Sequence, residues 1–218
     1  MSAADVEREK RAAAHAAAQF VRDGMRVGLG TGSTVAHLLP ALAERGLTGL
    51  RCVATSAATE AMALELGLPV EPFDRLERLD IAIDGADQVA PDGWVVKGGG
   101  GAHTREKIVA AAAGRFVIIA SSDKEVAALA PPVPLELMAF GLAATLRAIG
   151  DARPRGWPAS PDGGVIADLV EPFGDPAALS ARLSAIAGVV DHGLFGPGLV
   201  TDVLLARGEA VEHRTVSA

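Results

Sequence analysis

The chain has 218 residues and a formal charge of −7 at neutral pH. Half of its residues are apolar, and it contains no tyrosine. This length suffices for one large domain, or for one domain with a smaller companion, around a real hydrophobic core. The acidic balance argues against a nucleic-acid surface, so local donors must hold any anionic ligand. Cys52, the single cysteine, excludes an intrachain disulfide and is predicted to be a buried core residue, not a nucleophile.

The chain contains no apolar run long enough to span a membrane, and its N-terminal segment is a charged helical pattern unlike a signal peptide. We therefore expect a soluble, cytoplasmic protein. The histidines show no metal-ligand spacing, and no metal site is predicted. They are His15, His37, His103, His192 and His213.

The first part of the chain alternates between helical and strand patterns. Helices are predicted at about residues 4–21, 34–45, 56–66 and 105–113, and strands at 26–29, 50–54, near 81, near 95 and at 116–120. Pro40 falls inside the second helical pattern and predicts a kink or a shorter helix. Short apolar strands separated by helices predict a mostly parallel sheet with helices on both faces.

The alternation of helices and strands changes after the segment PPVP at residues 131–134. The following segments are predicted in the order β-α-β-β-α-β, which is the ferredoxin-like arrangement. They are a strand at 135–138, a helix at 140–149, two strands flanking the turn at 160–164, a helix at 176–186 and a strand at 189–191. A final strand at 199–205 could return to the first sheet. We therefore predict an α/β domain from residues 1–130 and 199–218, and a small α+β domain from residues 131–198.

A glycine-rich loop, VGLGTGST, joins the first strand to the second helix at residues 27–34. Alternate glycines let the backbone amides face one point, and Ser33 and Thr34 add hydroxyl donors where the helix dipole favours an anion. A dinucleotide loop would need glycine in place of Ser33 and an acidic residue about twenty positions later, and a Walker loop would need Gly-Lys-Ser/Thr. The remaining alternative to phosphate binding is that Ser33 or Thr34 merely caps the helix.

Two aspartates bracket a tight turn at the end of the next apolar strand. Asp84 and Asp87 enclose Gly85 and Ala86 in the motif DGAD. Aspartate is common in turns for local hydrogen bonding, but two of them around one turn suit a shared polar ligand.

A lysine and a glutamate flank the second glycine run. Lys97 ends the strand pattern WVVK, where an ammonium group is costly without a partner. Glu106 falls in the first helical turn after the glycines, where the helix dipole alone would favour a carboxylate. If Glu106 lies beside both loops, desolvation would raise its pKa and make it a usable general base.

Together these motifs resemble ribose-5-phosphate isomerase of the A type over nearly the whole chain. The agreeing pieces are GLGTGST at 28–34, TS at 55–56, DGAD at 84–87, KGGG at 97–100 and REK at 105–107. The resemblance implies a Rossmann-like α/β domain carrying a small ferredoxin-like α+β domain. It also implies conversion between D-ribose 5-phosphate and D-ribulose 5-phosphate, in the non-oxidative pentose phosphate pathway, by a homodimer or homotetramer without metal or organic cofactor.

The resemblance further implies a role for each matching residue. Glu106 is the base that moves a proton between the first and second carbons through an enediolate, and Lys97 with the KGGG amides stabilises the oxyanion. Asp84 and Asp87 hold sugar hydroxyls and assist ring opening. The implied substrate-binding set is Lys10, Thr31, Gly32, Ser33, Thr34, Asp84, Gly85, Ala86, Asp87, Lys97, Gly98, Gly99, Gly100 and Lys124.

Some positions depart from the family pattern. Gln88 stands where the family usually has Glu, residues 121–124 read Ser-Ser-Asp-Lys in place of D-x-S-K, and His103 replaces an apolar residue. Two other functions share part of this pattern. A non-catalytic phosphosugar-sensing domain of the same fold would come with an attached DNA-binding helix-turn-helix and would lack the equivalent of Glu106. An amino-sugar phosphate isomerase/deaminase would leave DGAD, KGGG and REK unexplained.

Overall fold

The computed structural model describes residues 1–217. The helices, in chain order, are α1 (Ala3–Ala18), α2 (Val35–Ala43), α3 (Ala57–Glu65), α4 (His103–Ala112), α5 (Leu142–Ile149) and α6 (Pro176–Ser184). The strands are β1 (Arg26–Leu29), β2 (Arg51–Ala54), β3 (Ile81–Gly85), β4 (Gln88–Val89), β5 (Val95–Val96), β6 (Phe116–Ser121), β7 (Val133–Leu137), β8 (Ala152–Pro154), β9 (Val165–Leu169), β10 (Val189–His192), β11 (Leu194–Phe195), β12 (Asp202–Arg207) and β13 (Ala210–Thr215).

The largest sheet has six strands in the order β13-β12-β6-β3-β1-β2. Every neighbouring pair is parallel except the β12–β13 hairpin, so the predicted mostly parallel, Rossmann-like sheet is confirmed. From β1 the chain goes to β2 on one side and then to β3 on the other. In such sheets ligands bind outside the carboxyl ends of the strands at this switch point. The loops that follow β1 and β3 therefore meet where a site is expected.

Helices cover both faces of this sheet. On one face the alanines of α1 pack closely with leucines of α2, because a small side chain lets the two backbones approach. On the other face Val109 and Ala110 of α4 pack with Phe116 and Phe195. Pro40 lies inside α2, which ends at Ala43, so the shorter helix predicted from this proline is confirmed.

The second sheet has four antiparallel strands in the order β10-β7-β9-β8. With α5 and α6 it has the predicted β-α-β-β-α-β order. The last predicted strand does return to the first sheet, where β12 pairs in parallel with β6. The exact division into domains stays a prediction, and its predicted end at residue 218 lies outside the described residues.

Two features differ from the sequence-based expectation. The strand near residue 95 does not join the parallel sheet, because β5 pairs antiparallel with β4 and β11 in a separate three-stranded sheet. Strand β13 was not predicted, because its sequence AVEHRT is mostly polar and lies exposed at the edge of the large sheet. In the part of the chain that is described, no helix is both long and apolar enough to cross a membrane.

Candidate active site

The loops after β1, β3 and β5 converge on one cavity at the carboxyl ends of the parallel strands. Its lining contains almost all of the predicted substrate-binding residues. They are Thr31, Gly32, Ser33, Thr34, Gly85, Ala86, Asp87, Lys97, Gly98, Gly99, Gly100 and Lys124. Glu106, the predicted base, also lines the cavity. Of the predicted set, only Asp84 and Lys10 fall outside this lining.

The first glycine loop is held tightly against the strand that carries Asp84. A Cβ on Gly30 would lie 2.0 Å from the Asp84 carboxyl carbon, so only glycine fits there. The Thr31 N–H donates to Asp84 Oδ1 over 3.1 Å. Within residues 1–217 the Thr34 side chain makes no capping bond to α2, which weakens the alternative that this residue merely caps the helix. The cavity thus faces the amide-rich start of a helix, which favours an anion.

Two residues that support this loop were given no role from the sequence. The hydroxyl groups of Thr31 and Thr55 lie 2.7 Å apart, and Thr59 Oγ1 donates to the Gly30 carbonyl over 2.9 Å. Thr55 belongs to the TS motif, which was the only available signal for its contribution. Thr59 carries no comparable motif.

Asp84, Lys97 and Glu106 form a buried cluster at the base of the cavity, called here the site cluster. Lys97 Nζ lies 2.9 Å from Asp84 Oδ2 and 3.1 Å from Glu106 Oε2. It also donates to the Gly85 carbonyl over 2.6 Å. All three side chains are at most 5% exposed, so these charges interact with little screening by water. The lysine therefore has the partners that its strand-end position requires.

Burial and mutual charge shift the pKa values of the site cluster. Burial, followed by repulsion from Asp84, raises the pKa of Glu106 to about 8, although Lys97 opposes the shift. Burial likewise raises the pKa of Asp84. For Lys97 burial acts to lower the pKa, but the charges of Asp84 and Glu106 outweigh it and the pKa is raised. The cluster can therefore exchange a proton on a carboxylate near neutral pH while the lysine keeps its charge.

The second glycine loop binds Asp87 through its backbone. The Gly99 N–H donates to Asp87 Oδ2 over 2.7 Å, and a Cβ on Gly99 would lie 2.7 Å from Asp87 Oδ1. Gly98 has a φ of +99° and lies against the buried ring of His103. Glycine is therefore needed at Gly98 for its conformation and at Gly99 for close approach.

Lys124 and Lys10, the two predicted binding lysines outside the site cluster, differ in their positions relative to the cavity. Lys124 lines the cavity, and its ammonium group is 3.7 Å from Asp123. Asp123 also accepts a hydrogen bond from Ser121, so the altered Ser-Ser-Asp-Lys segment still supplies a carboxylate beside the lysine. Lys10 does not line the cavity and pairs with Glu7 at 2.6 Å, so its role near a phosphate stays a prediction.

The other departures have local explanations. Gln88 bonds both the N–H and the carbonyl of Ala130, a pairing that a carboxylate could not complete. His103 is fully buried, and burial lowers its pKa to about 4, so the ring is neutral and fills an apolar position. Across residues 1–217 no group of three or more His, Cys, Asp or Glu side chains could hold a metal ion.

Comparisons with known proteins show the family to which the chain is similar. Residues 51–210 match the family model described as ribose 5-phosphate isomerase A (phosphoriboisomerase A). A ribose-5-phosphate isomerase A from Caulobacter vibrioides is 42% identical and is matched over 97% of this chain and 98% of its own. One from Nitrobacter hamburgensis is 44% identical, with 93% and 95% covered.

Solved structures of ribose 5-phosphate isomerases have the same fold as this chain. The ribose 5-phosphate isomerase A from Neisseria gonorrhoeae superposes with a TM-score of 0.92 at 30% identity, covering 98% of both chains. A D-ribose-5-phosphate isomerase in complex with phospho-erythronic acid superposes with a TM-score of 0.91 at 32% identity, covering 96% of this chain and 99% of that one.

Proposed function

The chain belongs to the ribose 5-phosphate isomerase A family and is an aldose–ketose isomerase of the pentose phosphate pathway, and we propose that Glu106 is its catalytic base. The observation that carries this proposal is the site cluster, in which a buried glutamate of raised pKa lies 3.1 Å from a buried lysine beside two glycine loops. A base works best when its pKa lies close to the operating pH. The raised pKa of Glu106 meets that condition.

The substrate is D-ribose 5-phosphate, and we assign its phosphate to the first glycine loop. Residues 31–34 present backbone amides and hydroxyl groups at the start of α2, and Lys124 adds a positive charge to the same cavity. The overall charge of −7 makes these local donors necessary. The sugar then extends from this loop toward the site cluster.

Glu106 removes the proton on the second carbon of the open-chain aldose. The electron pair of that C–H bond forms the C1–C2 double bond of an enediolate, and the charge moves to the first oxygen. The ammonium group of Lys97 and the amides of the second glycine loop donate to this oxyanion, an effect often worth about 3 kcal/mol per donor. A proton passes from the second oxygen to the first, and Glu106 returns its proton to the first carbon to give the ketose.

The aspartates have different proposed tasks because their surroundings differ. Asp84 is buried against Lys97 and the Thr31 amide, so it orients the lysine and the first loop. Asp87 lines the cavity, where its carboxylate can take the proton of the C1 hydroxyl of the cyclic sugar and pass it to the ring oxygen as the bond between C1 and that oxygen breaks, which opens the ring to the aldehyde.

A direct assay tests the proposed function. Purified protein is mixed with ribose 5-phosphate, and ketose formation is followed with and without EDTA. Ketose should form at the same rate in both, and phospho-erythronic acid should inhibit it. Absence of ketose would refute the activity, and an EDTA-sensitive rate restored by zinc or manganese would refute the metal-free mechanism.

We further propose a cytoplasmic homodimer or homotetramer. Apolar side chains are exposed at the edge strand β10 and in the segment beside it: Val190 lies on β10, and the N–H of the exposed Met138 bonds the Gly188 carbonyl. Phe140, two residues after Met138, is 90% exposed. Such a patch favours self-association. A Phe140→Ser variant should dissociate more readily in light scattering after size exclusion, whereas an unchanged mass would remove this patch from the interface.

A further inference from the structure

An arginine beside the second sheet contacts the second glycine loop, which follows β5 of the three-stranded sheet. Arg155 directly follows β8, and its Nη1 donates to the Gly99 carbonyl over 2.9 Å and to the Gly98 carbonyl over 3.3 Å. Residues 98 and 99 are far from residue 155 in sequence, and no sequence pattern points to this contact. The guanidinium thus binds the backbone of a loop that lines the candidate active site.

The guanidinium is fixed from its other side. Asp168 on β9 accepts from Arg155 Nε and Nη2 at 2.7 and 2.6 Å, a two-point pairing that sets the orientation of the planar group. The Trp157 ring stacks on it, with 4.5 Å between the guanidinium carbon and the ring centroid. The Arg155 side chain is only 12% exposed. It is therefore held in place before any ligand arrives.

The glycine loop has few other means of keeping its shape. Its glycines have no side chains to pack, and glycine has the widest conformational freedom of all residues. The Gly101 N–H bonds the Gly98 carbonyl over 2.9 Å and closes a turn, and the same carbonyl accepts from Arg155. The contact with Arg155 adds a fixed external anchor to this turn.

The direction of the bound carbonyls sets the direction of the neighbouring amides. In a trans peptide the C=O of one residue and the N–H of the next point in opposite directions. Holding the Gly98 carbonyl on the Arg155 side turns the Gly99 N–H the other way, where it meets Asp87 at 2.7 Å. By the same geometry, holding the Gly99 carbonyl turns the Gly100 N–H away from Arg155.

We propose that Arg155 is a positioning residue for the isomerisation: it holds the Gly98 and Gly99 carbonyls and thereby aims the Gly99 and Gly100 amides at the reacting oxygen and at Asp87. The inference rests on the proposed function, because it assigns these amides to the oxyanion. Arg155 touches no substrate atom itself. A residue that follows a strand of the small antiparallel sheet thus sets the geometry of a loop that lines the catalytic cavity.

The test compares Arg155→Ala with a matched control at the arginine two residues earlier. Arg153 lies on β8, is 71% exposed, and pairs only loosely with Asp151 at 3.4 Å. A misplacement of about 1 Å at reacting groups can cost about 100-fold in rate. We therefore expect Arg155→Ala to lower kcat about 10- to 100-fold with KM changed less than about threefold, and Arg153→Ala to match the unmodified protein.

Hydrogen exchange gives a readout that does not depend on activity. Mass spectrometry of a peptide covering residues 97–102 should show faster amide exchange in Arg155→Ala than in Arg153→Ala, with other peptides unchanged. Unchanged exchange and unchanged kcat would overturn the proposal. If the unmodified protein forms no ketose, the proposed function fails, but the exchange result still tests whether Arg155 orders the loop.

A second variant covers the case in which Arg155→Ala does not fold. Arg155→Lys keeps the positive charge beside Asp168, but a single ammonium group cannot reproduce the planar two-point pairing. We expect a loss of kcat and a gain in local exchange between those of the unmodified protein and the alanine variant. A lysine variant equal to the unmodified protein in both measurements would overturn the proposal.

Discussion

Two neighbouring residues of α4 enter two polar clusters, one buried and one partly buried. Glu106 belongs to the site cluster, whereas Lys107 pairs with Asp191 and His192 in a second group, called here the interface cluster. Successive helix residues point about 100° apart, so one helix can serve both. The ammonium groups of Lys97 and Lys107 lie 5.6 and 4.8 Å from the centroid of the Phe195 ring that both clusters contact.

The clusters differ in how completely their hydrogen bonds are satisfied. In the interface cluster Lys107 lies 2.5 Å from Asp191 Oδ1 and also bonds the His192 carbonyl. The Nε2 atom of His192 lies 3.2 Å from the hydroxyl groups of both Ser180 and Ser184.

In the site cluster, by contrast, Asp84 Oδ2 and Glu106 Oε2 meet Lys97 as ion pairs but make no hydrogen bond within the described chain. Unsatisfied buried acceptors are costly to a fold. Glu106, which lines the cavity, can therefore accept a substrate proton, whereas Lys107 and His192 already have partners within the interface cluster. Similar side chains thus give a reactive site in one place and a rigid contact between α4 and β10 in the other.

The largest effect on turnover is expected from a substitution that breaks the site cluster. Glu106→Gln should lower kcat about 100-fold or more, as the loss of a general base typically does, while KM changes little. Steady-state kinetics with ribose 5-phosphate measures both constants. Lys107→Met is the neighbouring control and should keep kcat within a few-fold when assayed well below its melting temperature. Turnover of Glu106→Gln close to that of the unmodified protein would remove the role of base from this residue.

The pH dependence should report the same difference between the clusters. Because the base must be ionised and the pKa of Glu106 is raised to about 8, kcat/KM should rise about tenfold per pH unit below that value and level off above it. Lys107→Met should leave this profile in place. A rise centred near pH 4.5, the ordinary value for glutamate, would mean that burial does not raise the pKa of the base.

Breaking the interface cluster should affect stability instead of rate. Lys107→Met leaves the Asp191 carboxylate partly buried without its cation, which should cost about 2 kcal/mol because both side chains retain some exposure. For a chain of this size that lowers Tm by about 4–8 °C in calorimetry. An unchanged Tm would show that the cluster contributes no net stability.

Removing the negative charge of Glu106 from the site cluster should stabilise the fold at high pH. The pKa of Glu106 is higher in the folded chain than in the unfolded one. The folded state therefore has its full stability below the pKa of the unfolded chain, and this contribution is lost as the pH rises through about 8. Glutamine cannot ionise. Glu106→Gln should therefore raise Tm by about 2–4 °C at pH 9, a gain of about 1 kcal/mol, and by much less at pH 4. A lower Tm at pH 9 would contradict this sign.

The smallest effect is expected at the surface. Arg105 and Asp162 form a well-oriented pair with bonds of 2.7 Å, but their side chains are 37% and 48% exposed. Exposed pairs contribute about 0.5 kcal/mol or less because water and salt screen them. Arg105→Ala should shift Tm by less than about 2 °C. A larger shift would show that the loop before β9 depends on this pair.

Much of the fold was predictable because its signals are local. Alternation of apolar strands with helices gave the parallel sheet, and the order after residue 131 gave the small antiparallel sheet. Strand β13 could not be predicted, since an exposed edge strand needs no apolar face. The segment at Val95 has the composition of a buried strand, but only its partners β4 and β11 decide which sheet it joins.

The sequence by itself determined the glycine loops, the helix starts and the polar residues at strand ends, because backbone conformation and hydrophobic periodicity depend on near neighbours. It also placed Glu106 and Lys97 on segments that could meet. Only the tertiary structure decided that they lie 3.1 Å apart in a buried site, that Lys107 faces another cluster, and that Arg155 reaches the glycine loop. Distances between remote segments and the burial that shifts a pKa arise from packing, and packing joins residues that the sequence keeps apart.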